Sequence, residues 1–444
     1  MQDRRGTWGS RFGFLAAAIG SSVGLGNLWA FPYRMGENGG FAFLAVYLPL
    51  AAAVGVPLIA AELALGRRAR RGPVGAFRAV FRGPLRQAGW LSALCAYLFT
   101  AFYCVLGGWC LQYLVWNLAA AFGFGPTGDG AALFALASGS PARCAGYALA
   151  YLALSVLVVR AGVARGAERL SRIAMPLLTV LLALLAARCL ALPGAAAGVR
   201  YMFRPDFRPL QTDFLGVLAA AGGQAFFSLS LGLGSLIAYG SYLPETEDLA
   251  KSAAVVAAAD TAFALLAGLV VIPAAFALGG AEAALAGPEL LFVTLQDVFA
   301  RMGSAGPWLG ALFYLLAALA ALTSSVALVQ LLADLAREDM GTPGRPDRGA
   351  AAGLAGLALA PAALWVALHP LEAGGGGLLP LFTRLTEGGL MPLAALALAF
   401  GLGYARPALA GELGPGRLRR RAFVFCCRVL APAGAALVLL GNLT

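Results

Sequence analysis

Gly20-Ser21-Ser22-Val23-Gly24-Leu25-Gly26-Asn27 lies in the middle of an apolar run that otherwise reads as one membrane-spanning helix. A second stretch, Ser228-Leu229-Ser230-Leu231-Gly232-Leu233-Gly234, has the same make-up, a Gly-Leu-Gly beside small hydroxyl residues near mid-span. Small residues let membrane helices approach closely, and one such run alone is explained by packing. Two of them, each in the first helix of a five-helix set, point to interrupted helices in corresponding positions of a repeat. Five is odd, so the second set is inverted relative to the first. Every amide or carbonyl freed by unwinding inside a bilayer is costly unless something pairs with it. Carbonyl oxygens suit a hard cation such as Na⁺, and a helix N-terminus suits a carboxylate. The ligand expected at such breaks is a small zwitterion accompanied by Na⁺.

The rest of the chain supplies the spans. Its 444 residues are 60% hydrophobic and 12% charged, about half the charge of a soluble globular chain, and mean hydropathy is +0.81. Apolar runs between polar or Gly/Pro punctuation predict an all-α membrane protein of eleven transmembrane helices. They fall near 10–35, 39–66, 86–122, 143–160, 167–192, 213–242, 249–278, 306–338, 348–368, 376–405 and 419–442. Residues 1–444 therefore read as one transmembrane domain, with inverted repeats over about 10–192 and 213–405 and an additional helix at 419–442. The stretch 193–212 reads as irregular, and 279–305 as short helices around Gly287 and Pro288. The apolar run from Phe12 is too long, and ends too polar, for a removable signal peptide.

The net charge of +11 is orientation charge. Lys251 is the only lysine, and the arginines cluster in alternate loops. With the N-terminus in the cytoplasm, 23 basic residues fall on the cytoplasmic side and eight outside, as the positive-inside rule requires. An odd number of spans then places the C-terminus outside. Richness in Arg, Ala and Gly with almost no Lys suits a GC-rich bacterium, hence an inner plasma membrane. No basic face for nucleic acid is expected, and no signal for oligomeric state is present. The seven cysteines have no metal-ligand spacing. No nucleophile elbow or phosphate loop appears, which argues against an enzyme.

Two further features stand out inside spans. Leu322-Thr323-Ser324-Ser325 puts three hydroxyls in an apolar helix; such hydroxyls either bond back to their own carbonyls or ligate a cation. Asp260 lies about 14 Å along its helix from Lys251, and an intramembrane carboxylate is a functional candidate, with a protonated core acid as the alternative. Glu62 is close enough to Arg67 and Arg68 to form an interfacial ion pair.

These residues resemble a known family. Trp8, the run Gly20 to Asn27, Phe31-Pro32 and Glu37-Asn38-Gly39-Gly40 are similar to the first helix of the neurotransmitter:sodium symporters. Gln224 to Gly232 resembles their sixth helix and Leu322 to Ser325 their eighth, and similarity runs from Trp8 to about residue 430. The resemblance implies Na⁺-coupled symport of an amino acid by alternating access, with two Na⁺. One Na⁺ would sit on Ser22, Asn27, Ser228 and Asp260, touching the substrate carboxylate. The second would bind Gly20, Val23, Ala320, Thr323 and Ser324. Tyr103 would hydrogen-bond the substrate carboxylate alongside the amides of Leu25 and Gly26, while Ser21, Phe227 and Ser230 hold the amino end. Phe99, Phe227, Leu233, Ser324 and Leu328 would line the side-chain pocket.

Departures from the family pattern refine this. Gly24 stands where amine transporters of the family carry Asp, so the substrate should bring its own carboxylate. The apolar lining suits a neutral hydrophobic or aromatic amino acid, because an unpaired charge there is expensive. Asp260 stands where the family has Asn, and Ala264 near where some bacterial members carry Glu; a carboxylate at 260 implies chloride independence. The usual outer-gate ion pair is missing at Ala30 and Thr383, with Arg34, Arg384 and Glu387 nearby and no choice of partner among them. The inner gate is expected from Arg5, Trp8, Tyr242 and Glu338. His369 reads as a solvated loop residue. A transport-dead amino acid sensor and a passive channel on the same fold are the competing readings.

Overall fold

The computed structural model describes residues 7–126, 129–284, 291–338, 347–371, 377–414 and 416–441, with side chains omitted for 278–284. Among the described residues every regular element is helical. Nine helices among the described residues are long and apolar enough to cross a bilayer: Phe41–Ala69, Gly83–Ala121, Pro141–Arg160, Val163–Leu190, Leu249–Ala277, Gly303–Glu338, Arg348–Leu368, Leu378–Ala405 and Arg417–Gly441. Arg11–Ser22 and Gly26–Glu37 form one further span bent by 51°. Phe214–Ser228, too short alone, continues past an unwound segment into Ser235–Gly240. These are the second to fifth, seventh to eleventh, first and sixth spans, an arrangement consistent with eleven.

The third and eighth spans pack along each other, flanked by the fourth and ninth. The second and seventh pack together and against the broken first and sixth. Close approach relies on small residues: a Cβ on Gly108 would lie 2.8 Å from the Ala148 amide nitrogen, as helix association in lipid favours. The outward faces are apolar, with Leu157, Ile173, Leu184, Leu357 and Leu440 all more than half exposed, a surface suited to a bilayer and not to water.

Local chemistry explains several boundaries. The Ser10 hydroxyl accepts the Gly13 amide and caps the first span. Asp248 caps the seventh through the Lys251 amide and takes Arg419 at 3.2 Å. Those two contacts, the amide first, hold the Asp248 carboxyl below the ordinary range. The stretch 193–212, expected to be irregular, contains the short helices Ala195–Phe203 and Arg208–Thr212. Hydropathy missed them because they are too short to span anything. In 279–305 the seventh helix runs on to Ala284 and Thr294–Ala300 forms a separate short helix; Gly287 and Pro288 lie outside the described residues.

Candidate functional site

Both glycine-rich stretches are breaks. In the first span the helix stops at Ser22, Val23 is extended (φ −67°, ψ 113°), and a new helix starts at Gly26. In the sixth span the backbone enters the left-handed region at Ser230 (φ 55°), Gly232 (φ 87°) and Gly234 (φ 79°). Glycine meets that demand without strain; Ser230 is steadied by its hydroxyl, which donates to the Ser21 carbonyl at 3.3 Å.

Backbone groups freed by unwinding are met by side chains, most of them from other helices. The Gly232 amide donates to Glu62 Oε1 at 2.8 Å, and the Gly232 carbonyl accepts the Ser92 hydroxyl at 2.8 Å. The Leu25 amide donates to the Tyr103 hydroxyl oxygen at 2.9 Å, and the Gly24 amide to Asn27 Oδ1 at 2.9 Å. The Gly26 carbonyl accepts Gln224 Nε2 at 2.9 Å. The expected ion pair of Glu62 with Arg67 and Arg68 is therefore wrong. Glu62 is fully buried beneath the sixth-span break, whereas Arg67 pairs with Glu412 at 3.0 Å and also reaches the Glu412 carbonyl. Neighbours along one helix could not disclose a partner 170 residues away.

Two oxygen-rich clusters flank the breaks. In the first, Asn27 Nδ2 contacts Asp260 Oδ1 at 2.9 Å and both the Asp260 carbonyl and Ser228 Oγ at 3.0 Å. The Ser228 hydroxyl donates to Asp260 Oδ2 at 2.7 Å, and all three side chains are completely buried. In the second, the Ser324 hydroxyl lies 3.2 Å from the carbonyls of both Gly20 and Val23 and 3.4 Å from that of Ala320. Thr323 Oγ1 is 2.9 Å from the Ala320 carbonyl. Oxygens about 3.3 Å apart have the spacing of adjacent corners around a hard cation with bonds of about 2.3–2.4 Å. Back-bonding and convergence are both present: Thr323 bonds within its own helix, while Ser324 turns toward the first span.

Between the clusters is a small enclosed cavity with room for about one water. Ser21, Ser22, Gly26, Ser230 and Tyr103 form its polar wall, and Phe99, Phe227, Leu233 and Leu328 its apolar wall, with Ser324 between them. Gly24 also lines it, and a Cβ there would lie 2.5 Å from Tyr103 Oη and 2.7 Å from Ser324 Oγ. Leu25 and Ser228 do not line it: the Leu25 amide is bonded to Tyr103, and the Ser228 hydroxyl to Asp260. The Ser22 hydroxyl points back to the Ala18 carbonyl at 3.4 Å.

Above the cavity, Arg34 pairs with Glu387 at 2.7 Å, donates to Gln224 Oε1 at 3.0 Å and lies 5.6 Å over the Phe227 ring. This choice of partner was open in the sequence; Thr383 bonds only within its own helix. Below it, buried Trp8 donates from Nε1 to the Tyr239 carbonyl at 3.2 Å and packs against Phe14, Tyr239 and Tyr242. Tyr242 donates to Asp334 at 2.8 Å, and Glu338 accepts the Gly72 amide at 3.1 Å. Arg5 lies outside the described residues. Sequence reasoning missed Asp334, although Gln330, Asp334 and Glu338 share one face at four-residue spacing. It also missed Glu168, whose buried carboxylate accepts the Gly9 amide at 2.8 Å and the Ser10 hydroxyl at 3.0 Å.

Comparison with known proteins matches this architecture. Residues 5–126 and 145–403 match the model of the Sodium:neurotransmitter symporter family. An uncharacterised sodium-dependent transporter of Bacillus subtilis, YhdH, is 38% identical over 66% of this chain and 64% of its own length. An uncharacterised sodium-dependent transporter of Methanocaldococcus jannaschii is 31% identical over 88% of this chain and 80% of its own. The crystal structure of MhsT in complex with L-phenylalanine superposes with a TM-score of 0.89 at 34% identity, covering 99% of this chain and 100% of that one.

Proposed function

Because the chain belongs to the sodium:neurotransmitter symporter family, we propose that it couples Na⁺ entry to uptake of a neutral hydrophobic or aromatic L-amino acid by alternating access, without chloride. The observation that carries this reading is the meeting of both breaks, two oxygen clusters and one cavity at a single level of the bundle. One Na⁺ site draws on Ser22, Asn27, Ser228 and Asp260 and the other on Gly20, Val23, Ala320, Thr323 and Ser324, residues whose oxygens are the donors a hard cation prefers. The substrate carboxylate meets Tyr103 and the amides of Leu25 and Gly26, and the amino group meets Ser21, Phe227 and Ser230.

Gly24 supports an amino acid over an amine, since any side chain there would crowd Tyr103 and Ser324. Phe99, Phe227, Leu233 and Leu328 favour an apolar side chain, and a solved relative at 34% identity holds L-phenylalanine. Asp260 carries the negative charge that makes chloride unnecessary. Arg34–Glu387 closes the outer side, and Trp8, Tyr242 and Glu338, with Arg5, close the inner side. The N-terminus is cytoplasmic, the C-terminus external, and the protein resides in a bacterial inner membrane.

Calorimetric titration of the purified protein with L-phenylalanine, L-tryptophan, L-leucine and glycine, in NaCl and in KCl, tests this. Binding of the large apolar amino acids in NaCl only is expected, with glycine weakest. Equal binding in KCl overturns Na⁺ coupling, and preference for glycine overturns the pocket assignment.

A further inference from the structure

We propose that the groove between the eleventh span and the Pro407–Leu413 turn before it binds the phosphate of an anionic phospholipid. Arg420, Arg421 and Arg428 line it together with Val424, Phe425 and Val429, and no acidic residue does. Arg428 is exposed although it lies 11 residues into the eleventh span, about 17 Å along the helix from Arg417. A charge on a lipid-facing surface at that position is costly unless it is neutralised or reaches the interface. The protein satisfies it only in part. Nε donates to the Gly403 carbonyl at 2.7 Å, and the guanidinium lies 5.3 Å over the Tyr404 ring. Its other four N–H groups have no acceptor among the described residues.

Arg421 is two turns earlier on the same side of the helix, about 10 Å toward the membrane surface. Arg420 beside it donates from Nε to the Gly414 carbonyl at 3.1 Å. Neighbouring arginines are used differently: Arg419 reaches Asp248 at 3.2 Å and Arg67 reaches Glu412 at 3.0 Å. None of the three groove arginines reaches a carboxylate among the described residues. Phe425 and Val429 are 55% and 47% exposed beside them, and offer acyl chains a wall that a free anion does not need. Three guanidinium groups with no carboxylate partner, set against an apolar wall, fit a phosphodiester headgroup with its chains attached.

Native mass spectrometry of the full chain, with added phosphatidylglycerol or phosphatidylcholine, tests the site. Wild type should retain phosphatidylglycerol selectively, and millimolar inorganic phosphate should not displace it. Affinity should fall about fivefold per arginine removed, in Arg428→Gln and, about 25-fold, in Arg420→Gln/Arg421→Gln, with Arg428→Lys intermediate. The double variant alters only exposed side chains, so it carries the test if Arg428→Gln fails to fold. Equal retention of the two lipids, or unchanged affinity in the variants, overturns the proposal. Displacement by inorganic phosphate makes this a free-anion site and overturns the lipid assignment. An Arg428→Gln loss of melting temperature that is the same in both lipids assigns Arg428 only to holding Gly403, and also overturns it.

Discussion

Asp260 is held by Asn27 and Ser228 in a place where no water reaches it, so its charge needs a cation or a proton as counterpart. Asp260→Asn is expected to weaken Na⁺-dependent uptake at least tenfold in chloride-free buffer, with added chloride restoring part of it. If that variant transports without chloride as well as wild type does, the carboxylate does not replace chloride. At Ser324 the hydroxyl reaches three carbonyls, and Ser324→Ala should raise the Na⁺ concentration for half-maximal binding about tenfold, measured by titration at fixed amino acid. Asp260 was legible because an acid inside an apolar helix is rare. Glu62, equally buried, was not, because it sits near basic residues in sequence and its true partner is an amide exposed by a break in another span.

Among elements, the two breaks decide the site. Their positions were legible from Gly-Leu-Gly beside hydroxyls, since backbone freedom and hydrogen-bonding side chains are both needed to unwind a helix in lipid. The pairing of the freed groups was not legible, because Glu62, Ser92, Tyr103 and Gln224 come from other helices or other turns. Gly232 shows how tight the arrangement is. Its φ is 87°, and a Cβ would run into the Met391 carbonyl. Gly232→Ala is expected to cost about 2 kcal/mol or more, read as a lower melting temperature together with lost substrate binding. The proposed outer gate follows the same logic. Neither Ala30 nor Thr383 can form an ion pair, but Arg34 lies one turn beyond the first and Glu387 one turn beyond the second, and packing brings those two together.

Across the whole molecule, the long spans and their order were readable because about 20 apolar residues must cross the bilayer. Short helices outside the spans carry no such signature. The proposed inner closure takes in more residues than sequence suggested. Trp8 is plugged under Tyr239 and Tyr242, and Glu168 anchors the start of the first span through Gly9 and Ser10. Glu168→Gln should raise the inward-open fraction, detected as faster labelling of a cysteine placed below Trp8; unchanged labelling would show that Glu168 does not hold the gate.

The central claim is coupling of Na⁺ to amino acid movement through one site. Uptake of labelled L-phenylalanine into proteoliposomes under an inward Na⁺ gradient, with K⁺ replacing Na⁺ and gluconate replacing chloride in turn, tests it most directly. Concentrative uptake that is lost in K⁺ and kept in gluconate is the predicted result. Equilibration independent of the Na⁺ gradient, or binding with no flux, would contradict it.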